Sequence, residues 1–149
     1  MGTTFKELES AINNLIEVYK KKYNVTPFKI NDGFCEDFAA DVIAYLGGYK
    51  KSGVQEMSAE NFMLGKDGEE GKAEVWDTKL LKKYWPKIQP PKGMKWEDLN
   101  SKGPDFIGHT WLEYKGRHFD AECPQGVENI FDLPFMKLRL KEYLKKKIK

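Results

Sequence analysis

The stretch from His109 to Glu122 constrains this chain more than any other. His109-Thr-Trp-Leu-Glu-Tyr114 and Arg117-His-Phe-Asp-Ala-Glu122 are two aromatic-rich runs separated by Lys115-Gly116. Two such runs joined by a two-residue linker read as a β-hairpin, with glycine supplying the positive φ that the turn needs. The turn also sets the register: Tyr114 faces Arg117, Trp111 faces Asp120 and His109 faces Glu122. His109 and Asp120 are then diagonal neighbours on one face, about 7 Å apart at the backbone and within reach of an imidazole–carboxylate bond. Leu112, Phe119 and Ala121 occupy the other face, which suits packing against a helix or a second sheet.

The hairpin needs helices to cover it, and the sequence supplies them. Phe5, Leu8, Ile12, Leu15, Ile16 and Tyr19 recur at helical spacing, which predicts an amphipathic helix over 4–22. The segment 25–34 reads as a connection, because Pro27 disfavours helix in its predecessor and Asn31-Asp32-Gly33 is turn chemistry that also offers caps. Cys35, Phe38, Ala39, Val42, Ile43 and Leu46 form the stripe of a second, central helix, stopped by Gly47-Gly48. Short helices are expected at 58–64 and 78–85, the second ended by Pro86, with loops at 65–71 and 89–104. Met136, Leu140, Tyr143 and Leu144 give a basic C-terminal helix that frays across 145–149.

The expected fold class is therefore α+β, with N-terminal and central helices packed on a small antiparallel sheet. At 149 residues, with 40% hydrophobic residues, the chain fits one domain over 1–149 and has apolar material for its core.

Cys35 sits at the first turn of the central helix, where backbone N–H groups and the helix dipole favour a thiolate, the form that attacks carbonyl carbon. Glu36 and Asp37 in the same turn oppose this, so activation requires a cationic partner. The two histidines are His109 and His118. The hairpin register makes His109 the base and Asp120 its orienting group, and leaves His118 near the turn, solvated.

Gly33-Phe-Cys35-Glu-Asp-Phe-Ala39 together with His109-Thr-Trp111-Leu-Glu-Tyr-Lys-Gly116-Arg-His-Phe-Asp120 resembles the core blocks of the transglutaminase-like branch of the papain-like cysteine peptidase superfamily. The resemblance implies a papain-like core with Cys35 as nucleophile, His109 as general base and then acid, and Asp120 as the group that fixes the imidazole. It also implies acyl chemistry on amide bonds through a thioester, resolved by water in a hydrolase or by an amine in an acyltransferase. The oxyanion is then held by the Cys35 backbone N–H and an upstream donor, for which Asn31 is the nearest residue, unless Asn31 only caps the helix. Trp111 is a wall of the site, a core residue, or both. Cys123 reads as a structural thiol near the site, and Glu122 as a group that tunes His109 or lies on the surface.

No metal or other cofactor is expected. A zinc site from Cys35, His109, His118 and Cys123 competes with a motif that already uses two of them, and two cysteines without a CxxC pair make no disulfide framework. The expected partner is a peptide or protein substrate, and the oligomeric state stays open. The formal net charge is +2, but residues 137–149 hold seven Lys or Arg and one Glu, leaving a remainder near −4. The basic character thus belongs to the tail, no groove-reading motif accompanies it, and nucleic acid is not an expected partner. The start lacks a secretory pattern and no run of about 18 apolar residues occurs, so a cytoplasmic protein without membrane insertion is expected. The rival of another class is a non-catalytic binding or inhibitor module reusing the fold, as in a small phage-encoded accessory protein.

Overall fold

A computed structural model describes residues 3–65, 73–102 and 108–148. The first helix, α1 (Phe5–Tyr23), begins with a reciprocal cap: the Thr4 hydroxyl accepts the Glu7 N–H at 3.0 Å while the Glu7 carboxylate accepts the Thr4 N–H. Asn24 in the left-handed region closes it. One stripe of α1, Leu8, Ala11, Ile12, Leu15 and Tyr19, is buried at helical spacing, whereas Phe5, also expected in the stripe, is exposed and Ile16 is half-buried.

The central helix is α3 (Cys35–Tyr45), and Gly47 and Gly48 after it both take positive φ. Between α1 and α3 the predicted connection contains one helical turn, α2 (Pro27–Asn31), with Thr26 as its cap and Pro27 in its first turn. Proline that forbids helix before itself is favoured at the first helical position, which explains this departure. No side chain caps α3; Phe34 holds the cap position, so Asn31 does not serve there. A short α4 (Tyr49–Ser52) follows.

A four-stranded antiparallel sheet lies at the middle, in the order β1 (Gln55–Ser58), β4 (Thr110–Tyr114), β5 (Arg117–Asp120), β6 (Cys123–Val127). The β4–β5 hairpin has the predicted register, Leu112 with Phe119 and Tyr114 with Arg117. Lys115 and Gly116 both adopt positive φ, 51° and 80°, as a turn matched to strand twist requires. The second strand stops at Asp120, two residues before the expected Glu122, because the chain turns at Ala121-Glu122 into β6. The strands β1 and β6 were not expected. β6 carries Pro124 and Gly126, which argue against a central strand, and it lies at the sheet edge where proline is tolerated.

Strand alternation divides the core in two. Leu112, Phe119 and Ala121 pack with the stripes of α1 and α3, as expected. Met57 and Trp111 point the other way, into a second core with Phe62, Trp76, Leu81, Leu99 and Phe131. That second core is built by the chain's middle and end. The segment 58–64 is a 3-10 turn (Ala59–Phe62) running into β2 (Met63–Gly65), which pairs with β3 (Ala73–Trp76) rather than forming an α-helix. The expected helix at 78–85 is α5 (Thr78–Tyr84), capped by Asp77. The expected loop at 89–104 instead contains α6 (Trp96–Lys102), while the expected loop at 65–71 falls almost wholly outside the described residues.

The C-terminal helix α7 (Pro134–Ile148) buries Met136 and Leu140 against this core, with Tyr143 and Leu144 partly buried beside them. It stays helical through Ile148, beyond the expected point of fraying. Among the described residues no helix is long and apolar enough to cross a membrane.

Candidate functional site

Cys35 opens α3, so its sulfur lies where first-turn amides have no intrahelical acceptor. The sulfur sits at the floor of a cleft of about 190 Å³ between α3, the end of β1 and the start of β4. A larger open groove, about 600 Å³, lies elsewhere, between α1 and the end of α3 near Ser10, Asn14 and Tyr45, and holds no nucleophilic thiol or histidine. Chemistry therefore selects the smaller cleft.

The structure brings Cys35, His109 and Asp120 together. His109 precedes β4 and is fully buried; its Nε2 lies 3.0 Å from Oδ2 of Asp120, the last residue of β5. The carboxylate is fixed from its other side as well, since Oδ1 accepts the Glu122 N–H at 2.9 Å across the turn into β6. A carboxylate only accepts, so Nε2 carries the hydrogen and Nδ1 presents its lone pair. That Nδ1 has no hydrogen-bond partner. The Cys35 thiol donates instead to the Gly108 carbonyl at 3.3 Å, although sulfur and ring interact strongly enough to shift each other's titration.

Those shifts have opposite signs. Burial pushes the Cys35 thiol up, but the His109 ring and the Thr110 and Glu36 backbone N–H groups outweigh it, and the thiol is held below its ordinary value. Burial pushes His109 down, but the hydrogen bond to Asp120 and the contact with Cys35 outweigh it, and the imidazole is held above its ordinary value. Both shifts favour the thiolate–imidazolium pair, in which the imidazolium is the cationic partner that Glu36 and Asp37 make necessary.

The remaining predicted positions fall differently. Asn31 is buried, and its side-chain amide donates to Glu122 Oε1 at 2.8 Å; it does not line the cleft. Glu122 therefore ties α2 to the β5–β6 turn. Trp111 is wholly buried and lies outside the cleft lining, so it belongs to the core; its ring runs nearly parallel to that of His109, with centroids 6.1 Å apart. His118 is buried and not solvated: Trp111 Nε1 donates to its Nδ1 at 3.1 Å, and its ring meets Trp85 edge-on. Burial alone pushes it down to about 3, which makes it a neutral core histidine. Cys123 is buried and unpaired, and burial with the nearby Asp120 charge pushes its thiol up, the opposite of Cys35. Among the described residues no group of three or more His, Cys, Asp or Glu is placed to hold a metal.

Three contributors escaped sequence reasoning. Phe135, at the start of α7, stacks on His109 with centroids 4.0 Å apart and rings 13° from parallel. Glu60 accepts the Gly108 N–H at 2.8 Å and so holds the residue whose carbonyl faces Cys35; Gly108 has φ of 90°, a conformation that glycine adopts without strain. Glu56, from the unpredicted β1, lines the cleft mouth. Nothing local marks Phe135 or Glu56; Gly108 beside a strand-start histidine was the one readable sign of a special backbone.

Compared with protein-family models, with curated proteins and with solved structures, the chain has no match.

Proposed function

We propose that this protein is a thiol-dependent hydrolase or acyltransferase acting on amide bonds, with a papain-like, transglutaminase-like core. The supporting observation is the buried 3.0 Å bond between His109 and Asp120 beside a thiol whose ionisation is favoured. Cys35 Sγ attacks the carbonyl carbon while His109 takes the thiol proton. His109 then gives that proton to the leaving amine, and a thioester remains for water or an acceptor amine to resolve. Asp120 keeps the hydrogen on Nε2 and stabilises the imidazolium. With Asn31 turned toward Glu122, the oxyanion donors in this reading are backbone amides of the first turn of α3, which no side chain caps.

A non-catalytic binding module is the second reading, favoured by one feature: the Cys35 thiol donates to the Gly108 carbonyl and not to His109. Incubation with a general amide or ester library, followed by intact-mass detection of an acyl adduct on Cys35, separates the two. The enzymatic reading requires an adduct that Cys35→Ser abolishes and that hydroxylamine releases. Absence of any adduct with the whole library, from a folded protein, favours the binding module.

A further inference from the structure

We propose that the cleft above Cys35 selects an acyl donor carrying an ammonium or guanidinium group one side chain away from the carbonyl under attack, which makes a lysine- or arginine-bearing peptide the substrate class. The proposal rests on the thiol-hydrolase reading above and names the charge of its substrate.

Three carboxylates line the cleft with Cys35: Glu36 from the first turn of α3, Glu56 from β1 and Glu60 from the turn after it. No Lys or Arg lines the cleft among the described residues. Two of the carboxylates are aimed by neutral donors. The Tyr49 hydroxyl donates to Glu56 at 2.8 Å; the Ser58 hydroxyl and the Gly108 N–H donate to Glu60. Neutral donors orient a carboxylate without cancelling its charge. The Cys35–His109 pair is neutral as a unit whichever of the two holds the proton, so the mouth carries a formal charge of −3 from Glu36, Glu56 and Glu60. In a narrow cleft with low-dielectric walls such charges reinforce one another and exclude anions.

The histidine beside the cleft carries an open acceptor. His109 Nδ1 is fully buried and lacks a hydrogen-bond partner, and the ring interacts with the Cys35 thiol. A buried acceptor left open is costly unless it has work to do, and here the work is to receive the thiol proton and hand it to a leaving amine. The size fits too. About 190 Å³ is below the roughly 300–1,000 Å³ of small-molecule pockets, and suits one extended side chain beside the reacting carbonyl.

The chemistry balances with water alone. Sγ bonds to the carbonyl carbon, the C–N bond breaks, and the amine leaves with the proton that His109 took from the thiol. Water then adds to the thioester carbon, gives a proton through His109 to sulfur as the C–S bond breaks, and the acid departs. The substrate's cation stays among the three carboxylates throughout.

The field is read first with three methanethiosulfonates of different charge: trimethylammonioethyl, methyl and sulfonatoethyl. Rates at Cys35, resolved by mass from the buried Cys123, are normalised to the same reagents on mercaptoethanol. At low ionic strength the cationic reagent should exceed the anionic one by about tenfold or more, and about 1 M salt should collapse the ratio. Glu36→Gln with Glu56→Gln should lower it as well. The substrate class is read next with two peptidyl chloromethyl ketones, Lys or Glu beside the ketone, of which the Lys form should alkylate Cys35 about tenfold faster. A reactive Cys35 with equal normalised rates, or equal ketone rates, overturns the charge selection alone. A Cys35 that the neutral reagent does not touch overturns the nucleophile reading, and this inference with it.

Discussion

Asp120 holds His109 with one carboxylate oxygen, 3.0 Å from Nε2, and the backbone of its own turn with the other, 2.9 Å from the Glu122 N–H. The imidazole therefore inherits the rigidity of the β5–β6 turn. Phe135 stacked at 4.0 Å restricts its remaining freedom. The result is an imidazole beside Cys35 held in place by two strands and a helix.

That arrangement assigns Asn31 a structural role. Asn31→Asp sets two carboxylates against each other where Nδ2 now lies 2.8 Å from Glu122, and should destabilise the fold by about 1–3 kcal/mol in denaturant titration. Ester turnover per folded molecule should change less than threefold. An oxyanion donor would behave otherwise, with a loss of about 10²-fold or more in turnover.

His118 makes the fold acid-sensitive. Its folded value is pushed down to about 3 while the unfolded chain keeps about 6.5, so the unfolded state binds more protons between those limits. Stability from this group is complete above the unfolded value and falls as pH drops toward 3, by about 1.4 kcal/mol per unit. His109, with its raised value, works in the opposite sense and loses its contribution as pH rises. His118→Gln keeps an acceptor for Trp111 and removes the titration, so its stability should decline less steeply than wild type between about pH 6 and pH 4. Parallel slopes for the two proteins contradict the assignment.

Gly126 tests the sheet edge. A Cβ there would lie 2.3 Å from Phe119 Cε2, and its φ is 79°, so both packing and backbone resist any other residue. Gly126→Ala should cost about 2 kcal/mol or more, read as a fall in the denaturation midpoint with an unchanged slope. A neutral effect would mean that β6 does not press on Phe119 as described.

Removing residues 145–149 should leave the thermal midpoint within about 2 °C of wild type, because among the residues with described side chains the last that α7 packs are Tyr143 and Leu144, and Lys145 is exposed. Retention of DNA by the full chain at moderate salt, lost on truncation, would instead give the tail a nucleic-acid role.

The legible parts of this fold were those where local chemistry sets geometry. Lys115-Gly116 permits one turn, that turn sets the register, and the register alone puts His109 beside Asp120. The stripes of α1 and α3 were readable for the same reason: their period is local. β1 was hidden because Gln55-Glu56-Met57-Ser58 has one buried apolar residue and becomes a strand only by pairing with β4. β6 was hidden behind Pro124 and Gly126, and α6 within a stretch rich in Pro, Gly and Lys. His118 was misplaced because its solvation depended on Trp85, which a distant segment brings over it. The cleft's acidic mouth was invisible for a similar reason, since Glu36, Glu56 and Glu60 meet only once β1 is in the sheet.

The central claim is that His109, oriented by Asp120, lowers the barrier to ionising Cys35. Its most direct test is the pH dependence of iodoacetamide alkylation at Cys35, followed by mass spectrometry in wild type, His109→Ala and Asp120→Asn. The account predicts a wild-type midpoint well below the ordinary thiol value of about 8.5, with Cys123 far slower. It also predicts that both substitutions move the midpoint upward, His109→Ala more than Asp120→Asn. A wild-type midpoint at or above about 8.5, unmoved by either substitution in folded protein, would contradict it.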